Sequence, residues 1–301
     1  MLDPEGLFTL DPAFAGGDLG RPVLVQALDG FVDAGAARRL AREHLVASSP
    51  EARVVATFDV DQLHDYRARR PVMLFVEDHW ESYDAPALTL TALRDAHGTP
   101  YLLLAGPEPD VQWERFTAAV RVLVERLGVR LYVGLNAIPM AVPHTRPAGL
   151  IAHGSRRDLT EGFDPWVATV QVPGAAGHLL EYRLGQWGHD ACGFAVHVPH
   201  YVAQAEYPAA SAALVDAIAR VSGLSLPTEG LLRAAEETRR LIDEQVDDNA
   251  EVAAVVRALE EQYDSFVTAR GGLLDGQRLP TGEELGAELE RFLSERRPGE
   301  L

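Results

Sequence analysis

Two carboxylates follow the first long apolar run of the chain, at a position that could serve chemistry. In the stretch VLVQALDGFVDAGAARRL (23–40), an apolar run leads into a loop that holds Asp29 and Asp33, and a helical pattern follows at once. Two carboxylates at a strand end are a common start of an oxygen-ligand site for a divalent cation. The structural alternative is that Asp33 caps the helix and Asp29 shapes the turn. Phosphate is disfavoured because both side chains are negative and the stretch has neither GxGxxG nor GxxxxGK[ST].

A second pair of carboxylates repeats this arrangement further along the chain. In LLAGPEPDVQWERF (103–116), Glu108 and Asp110 stand between an apolar run and a helical pattern. If the two strands are neighbours, these acids face Asp29 across the carboxyl edge of the sheet, where open α/β folds bind ligands. The alternative is again a cap, with Asp110 at the helix start and Glu114 in the first turn. The four acids Asp29, Asp33, Glu108 and Asp110 form the candidate ligand or metal site.

Several enzyme classes lack their essential residues in this sequence. All 27 basic residues are arginines, so a Walker A loop, a Schiff-base enzyme and a pyridoxal-phosphate enzyme are excluded. No GxSxG elbow is present, and the single cysteine, Cys192, is expected to be buried filler. We therefore expect no catalytic residue, no cofactor and no metal.

Four histidines lie close to the ends of predicted strands. The spacing in HVPH (197–200) does not place both rings on one face of a strand, and an open zinc site usually needs three protein ligands. We expect hydrogen-bonded structural histidines rather than a zinc site at His144, His153, His197 and His200.

The charge of the chain restricts its partners. The formal net charge is −18, which disfavours nucleic acid and anionic membrane surfaces because phosphate groups require positive charge. No run approaches the roughly 20 apolar residues of a membrane span, and the N-terminus does not resemble a signal peptide. We expect a cytoplasmic protein.

Short apolar runs alternate with helical periods over residues 20–225, which is typical of an α/β fold with a mostly parallel sheet and helices on both faces. Strands are predicted at 22–28, 52–58, 71–77, 86–93, 99–106, 129–137, 147–154, 165–173 and 192–201. An alternative for the 86–93 segment is antiparallel pairing at an edge of the sheet. Helices are predicted at 33–47, 111–127, 175–184 and 208–222.

The C-terminal part differs from the core in its charge and in its pattern of apolar residues. Residues 229–301 hold 18 acidic residues and 9 arginines, which contribute 9 − 18 = −9 to the charge. The pattern predicts one helix at 230–246, a cap at 247–249, a second helix with an apolar stripe, a loop at 268–282 and a short helix at 283–296. We expect two domains: an α/β core at 1–225, and an α-helical hairpin extension at 226–301 packed on it.

Four motifs together resemble the proteasome assembly chaperone 2 family, in particular its actinobacterial branch. They are ALDGFVDAG (27–35), GPEPDVQWERF (106–116), HVPHYVAQAEYPAAS (197–211) and LEEQYDSF (259–266). The resemblance covers about residues 5–270 and implies a three-layer α/β/α sandwich, like that of nucleoside phosphorylases and hydrolases, in a homo-oligomer such as a trimer. It also implies a non-enzymatic assembly factor that binds proteasome α subunits.

The resemblance leaves two functional alternatives open. Several family members bind through a C-terminal hydrophobic–Tyr–any tail, whereas this sequence has Gly299, Glu300 and Leu301 there, so any contact needs another surface such as the helical hairpin. The enzymatic alternative is a metal-dependent nucleoside hydrolase that uses the Asp29/Asp33 loop to activate water.

Aromatic residues near the end of the core could form a protein interface. We expect His200, Tyr201 and Tyr207 to be exposed in a proline-bounded loop that suits an interface, and Tyr263 to lie on the apolar stripe of the last long helix. The alternative is that this loop only closes the edge of the sheet.

Overall fold

One large sheet organises the chain, and a separate two-stranded hairpin projects from it. The computed structural model describes residues 2–16, 19–163 and 169–274, with the side chains of 269–274 left out. The strands are Phe8–Leu10 (β1), Val23–Asp29 (β2), Arg53–Phe58 (β3), Met73–Val76 (β4), His79–Tyr83 (β5), Thr89–Arg94 (β6), Pro100–Pro107 (β7), Leu131–Met140 (β8), Leu150–Gly154 (β9) and Ala191–Pro199 (β10).

The centre of the large sheet is parallel and its flanks are antiparallel. Its spatial order is β1-β3-β6-β7-β2-β8-β10-β9. Strands β7, β2, β8 and β10 run parallel, whereas β6, β3 and β1 on one side and β9 on the other pair antiparallel. The predicted fold class is therefore confirmed. Strand β6 is antiparallel as suggested, but it lies inside the sheet, between β3 and β7.

Helices cover both faces of this sheet. The covering helices are Ala37–Ser48 (α1), Trp113–Arg126 (α2), Ala176–Gln186 (α3) and Pro208–Ser222 (α4). Two further helices follow them along the chain, Glu229–Asp247 (α5) and Ala250–Leu274 (α6). Helices α1 and α4 pack with one apolar cluster and α2 and α3 with another. Strand β2 contributes to both clusters because successive side chains point to opposite faces: Val25 belongs to the first and Leu24 to the second.

Three predicted elements differ from the structure. The apolar run 71–77 resembles a buried strand, but its strand β4 pairs with β5 in the separate hairpin and is exposed. The part of 165–173 that the structure describes, 169–173, forms no strand. Helix α6 continues to Leu274, so a loop starting at 268 is wrong, and the helix predicted at 283–296 lies outside the described residues.

The chain divides into two compact units, 1–248 and 249–301. Helix α5 belongs to the first unit, where it packs on α4 and buries Leu231. This division falls later than the 225/226 boundary that the change of composition suggests. In the second unit the Asn249 side chain accepts hydrogen bonds from the amides of Glu251 and Val252, and so caps the start of α6.

Candidate functional site

A small polar cleft lies where the carboxyl ends of β2 and β8 meet helix α3. It holds a cavity of about 30 Å³. The cavity is lined by residues of four elements and of the loops after β2 and β7, among them Gln26, Arg38, Glu108, Asn136 and His178. After β2 the chain first adds β7 on one side of β2 and later adds β8 on the other side. Doubly wound folds bind ligands where the strand order reverses in this way, and we therefore name this cleft the switch cleft.

The two aspartates of the opening loop have separate partners. The carboxylate of Asp33 accepts hydrogen bonds from the amides of Arg38 (2.8 Å) and Arg39 (3.0 Å), so it caps α1 as the structural alternative predicts. Asp29 accepts from the Arg42 guanidinium at 2.6 Å and is half exposed. Neither carboxylate is left without a partner.

The second pair of acids is divided between two neighbourhoods. Glu108 accepts a 2.5 Å hydrogen bond from the amide of Ala176 and so caps α3. Asp110 faces away, toward the chain after β3, where it accepts from the amide of Asp65 at 2.6 Å and pairs with Arg69 at 2.8 Å. Although desolvation alone would raise the pKa of Asp110, these donors outweigh it and the pKa is lowered.

Arg38 brings three of the four predicted acids together. Its side chain is buried, with 6% of the residue exposed, and Nη2 donates to the carbonyl of Val32 at 3.1 Å. Burial lowers the pKa of this guanidinium, and the nearby carboxylates of Asp33, Asp29 and Glu108 oppose that shift. The acids therefore act as counter-charges to an arginine, which is not the arrangement of a metal site.

A larger cavity lies beside α3, between that helix and β9. Its volume is about 580 Å³, and His178 lines it as well as the switch cleft. Within it, Nδ1 of His153 is 2.7 Å from the carboxylate of Glu181. A Cβ on Gly193 would lie 2.4 Å from the His153 ring and 2.5 Å from Glu181, so only glycine leaves room for this pair.

The two histidines of the larger cavity have opposite pKa shifts. Burial alone would lower the pKa of His153, but the hydrogen bond and charge of Glu181 outweigh it and the pKa is raised. The pKa of His178 is lowered, first by burial and then by the positive charge of His153. A neutral imidazole and a more basic one therefore line the same cavity.

The predicted interface residues are not all exposed. Tyr207 is 4% exposed and packs on Gly35, and burial raises its pKa to about 12, so the expectation that it is exposed is wrong. The hydroxyl of Tyr201 accepts from the amide of His144 and lies 2.6 Å from its Nδ1, while Nε2 of that histidine lies 3.0 Å from Asp243 of α5. His200 is exposed. Tyr263 lies on α6, and its interface role stays a prediction.

The separate hairpin of β4 and β5 carries the most exposed apolar cluster of the first unit. Its turn holds Glu77 and Asp78, with Glu77 at φ +50. Phe75 and Trp80 stack edge to face with ring centroids 5.0 Å apart, yet both are more than half exposed. We name the following exposed residues the hairpin patch: Val72, Met73, Leu74, Phe75, Trp80 and Tyr83.

Among the described residues, no three His, Cys, Asp or Glu side chains are grouped so that they could hold a metal ion, and no helix is long and apolar enough to cross a membrane. Cys192 is buried, and burial raises the pKa of its thiol to about 12. The arginine and histidines that line the cavities, Arg38, His153 and His178, were not selected as site residues from the sequence. The position of Arg38 just after the strand-end loop was the available signal.

The fold and the site define an α/β/α sandwich protein with a cleft at its topological switch point and an exposed apolar hairpin. The chain belongs to the PAC2 family, whose model matches residues 27–246. This confirms the family resemblance of the sequence motifs.

Solved structures of actinobacterial proteins are similar over most of the chain. A Mycobacterium tuberculosis protein of unknown function, Rv2714, is 53% identical, with a TM-score of 0.82 over 89% of this chain and 92% of that chain. A Corynebacterium glutamicum protein of unknown function is 40% identical (TM-score 0.81, covering 87% and 98%). The M. tuberculosis proteasome-assembly chaperone homologue Rv2125 is 28% identical (TM-score 0.71, covering 78% and 99%). Comparison with curated proteins gives no match.

Proposed function

We propose that this chain is a non-enzymatic protein-binding factor of the cytoplasm that acts as a homo-oligomer and holds subunits of a larger assembly. Proteasome α subunits are the proposed partner. Membership of the PAC2 family and the similarity to a proteasome-assembly chaperone homologue support this proposal. The separate partners of Asp29, Asp33, Glu108 and Asp110 give no support to a hydrolase.

The hairpin patch carries the proposal. A two-stranded hairpin is at best marginally stable in water, and contiguous exposed apolar surface usually marks a binding site. Aromatic residues such as Phe75 and Trp80 are enriched at the centres of protein interfaces, because they bury large apolar area when covered. A protein surface that covers the patch would stabilise the hairpin and remove these side chains from water.

Self-association is tested with a double variant of the patch. Phe75→Ser combined with Trp80→Ser removes the two rings, which are more than half exposed and belong to neither apolar core cluster. We expect light scattering after size exclusion to give an oligomer for the wild type and a monomer for this variant, and circular dichroism to show that both are folded. The matched control is Leu232→Ser with Leu241→Ser, two exposed apolar residues of α5. An oligomer in both variants would reject the patch as the self-association surface.

Partner binding is tested separately with purified proteasome α subunits of the same host. We expect saturable binding by the full chain that is unchanged by a metal chelator, because no metal takes part in the proposed contact. Absence of binding by a correctly oligomeric wild type would reject the proteasome partner and leave the homo-oligomer untouched.

A further inference from the structure

The hairpin of β4 and β5 presents a surface that is both apolar and acidic. Its two strands form a sheet of their own, and the hairpin patch that they carry is exposed. Residues 72–84 hold four acidic residues and no arginine: Glu77, Asp78, Glu81 and Asp84. Glu77 and Glu81 are exposed, and neither makes an ion pair with any residue that the structure describes. Two hairpins packed on each other would bring these like charges together, so the patch fits a different surface better than a second patch.

The larger cavity beside α3 offers a concave apolar surface. Its volume of about 580 Å³ is within the range of roughly 300–1,000 Å³ that is usual for binding pockets. Two of the residues that line it, Val172 and Tyr182, are more than half exposed, and Val170 nearby in the chain is exposed as well. Exposed apolar side chains around a concavity are typical of a surface that another molecule covers.

Positive charge at this cavity suits the acidic hairpin. His153 and Glu181 line the cavity together, and the histidine side chain is 39% exposed against 14% for the glutamate. Although burial alone would lower the pKa of His153, the hydrogen bond and the charge of Glu181 raise it. Arg157 follows the lining residue Ser155 by two positions, is exposed, and makes no ion pair within the described part of the chain. An acidic segment at this rim would therefore meet charges of opposite sign.

The hairpin and the larger cavity belong to opposite flanks of the large sheet. The hairpin is inserted between β3 and β6, whereas the cavity lies beside β9, the last strand on the other flank. Strands β6 and β9 are five strand spacings apart, about 24 Å, which is farther than hairpin strands of four and five residues extend. The hairpin of one chain therefore does not fill the cavity of the same chain. A head-to-tail contact between copies joins the two surfaces, and repetition of that contact closes a ring.

We propose that the hairpin of one copy docks in the larger cavity beside α3 of the next copy. Phe75 and Trp80 are then covered by the apolar side chains at the cavity, and the acidic turn lies toward Arg157 of the partner subunit. Apolar contact supplies most of the affinity, and the charges set the orientation. This inference rests on the homo-oligomer of the proposed function and identifies the surface that receives the hairpin patch.

Mixing two variants tests the head-to-tail contact. The hairpin variant is Phe75→Ser with Trp80→Ser, and the cavity variant is Val172→Asp with Tyr182→Asp, which places carboxylates where the acidic hairpin would dock. We expect light scattering to give a monomer for each variant alone and a dimer for the equimolar mixture at about 100 μM, because one intact hairpin then meets one intact cavity. Leu232→Asp with Leu241→Asp, two exposed residues of α5, is the matched control for the cavity variant and should stay oligomeric.

Disulfide formation tests the same contact on a nearly unchanged surface. Asp78 is exposed at the hairpin turn, Gln186 is exposed at the cavity, and the single native cysteine, Cys192, is buried. We expect Asp78→Cys combined with Gln186→Cys to give covalent oligomers with oxidised glutathione, and neither single variant to do so. Covalent dimers of Asp78→Cys alone would show that hairpins meet each other and would overturn the proposal, as would a mixture that stays monomeric beside an oligomeric wild type. A monomeric wild type would reject the homo-oligomer itself.

Discussion

Single polar residues on an otherwise apolar strand face decide where this sheet can hold a ligand. Strand β2 alternates between the two apolar clusters, and Gln26 interrupts one of them. Its side-chain oxygen lies 3.2 Å from the hydroxyl of Tyr132, which also lies 3.2 Å from the carbonyl of Gly177 on α3. The sheet face that packs on α2 and α3 is therefore polar beside Gly177, near the start of α3, and apolar beneath α2. Both cavities lie at the α3 side of this face.

Gly35 is the first residue whose replacement gives a defined result. It has φ +65, and a Cβ there would lie 2.7 Å from Cβ of Tyr207. We expect Gly35→Ala to lower the free energy of unfolding by about 3 kcal/mol, because backbone strain and overpacking add. The control Gly188→Ala has φ +83 and nothing among the described residues within 4 Å, so it should cost about 1 kcal/mol in urea unfolding. An equal loss of unfolding free energy in the two variants would show that Tyr207 moves aside for the added methyl group without a cost in stability.

The His153–Glu181 pair predicts a pH dependence. The folded pKa of His153 is raised, so its stabilisation is complete below the unfolded pKa and is lost as the pH rises through the folded pKa. Glu181→Gln removes the cause of the shift. We expect this variant to lose more stability at about pH 6 than at about pH 9, and NMR titration to show a lower His153 pKa. The exposed Glu236→Gln should show no such difference, and an unchanged His153 pKa would contradict the assignment.

The opening loop shows how caps define an element. The Asp33 carboxylate satisfies two amides at the start of α1, whereas Asp29 makes a half-exposed ion pair. We expect Asp33→Ala to cost about 1 kcal/mol and Asp29→Ala about 0.5 kcal/mol or less, measured by urea unfolding. A larger loss for Asp29→Ala would mean that the loop, and not the cap, holds the helix start.

Helix α5 is fastened to the core by a chain of side chains. Tyr201 bonds to His144, and His144 in turn faces Asp243 of α5. Tyr201→Phe leaves the buried His144 amide without that acceptor, so we expect a loss of about 2 kcal/mol and faster amide exchange in α5. Tyr182→Phe removes an exposed hydroxyl and should change stability by less than about 0.5 kcal/mol. Unchanged exchange in α5 would show that packing on α4 alone holds it.

Elements with clear start and stop signals could be predicted from the sequence, and their environment could not. The predicted 208–222 helix matches α4 to the residue, because Pro208 suits its first turn and Gly223, at φ +73, its end. The run at 71–77 has the same apolar texture as buried strands, yet β4 is exposed. An apolar run shows which residues favour burial, but it does not show which part of the protein, or which partner, covers them.

The candidate site depends on the whole molecule, and for that reason it was only partly foreseen. The opening loop was predicted as a site because its acids are visible in one stretch of sequence. Arg38, Asn136 and His178 come from α1, β8 and α3, and only the strand order brings them together. Without that order, the acids could not be recognised as counter-charges to a buried arginine.

The net charge predicts how self-association responds to salt. Copies of a chain with a formal charge of −18 repel one another, and salt screens this repulsion while leaving apolar contacts intact. We expect light scattering to show a larger fraction of oligomer at about 300 mM than at about 20 mM sodium chloride. Dissociation by added salt would instead indicate an interface made of ion pairs.

The segment that forms the hairpin begins and ends at neighbouring positions, Val72 and Asp84. The amide of Asp84 donates to the carbonyl of Val72 at 2.9 Å, so the segment leaves and rejoins the chain between β3 and β6, which are neighbours in the large sheet. Its length and side chains are therefore free of the constraints that hold the sheet. Exchange of residues 72–84 between relatives would transfer the proposed binding surface from one protein to another. The strands of the large sheet would keep their register, and only the bound partner would change.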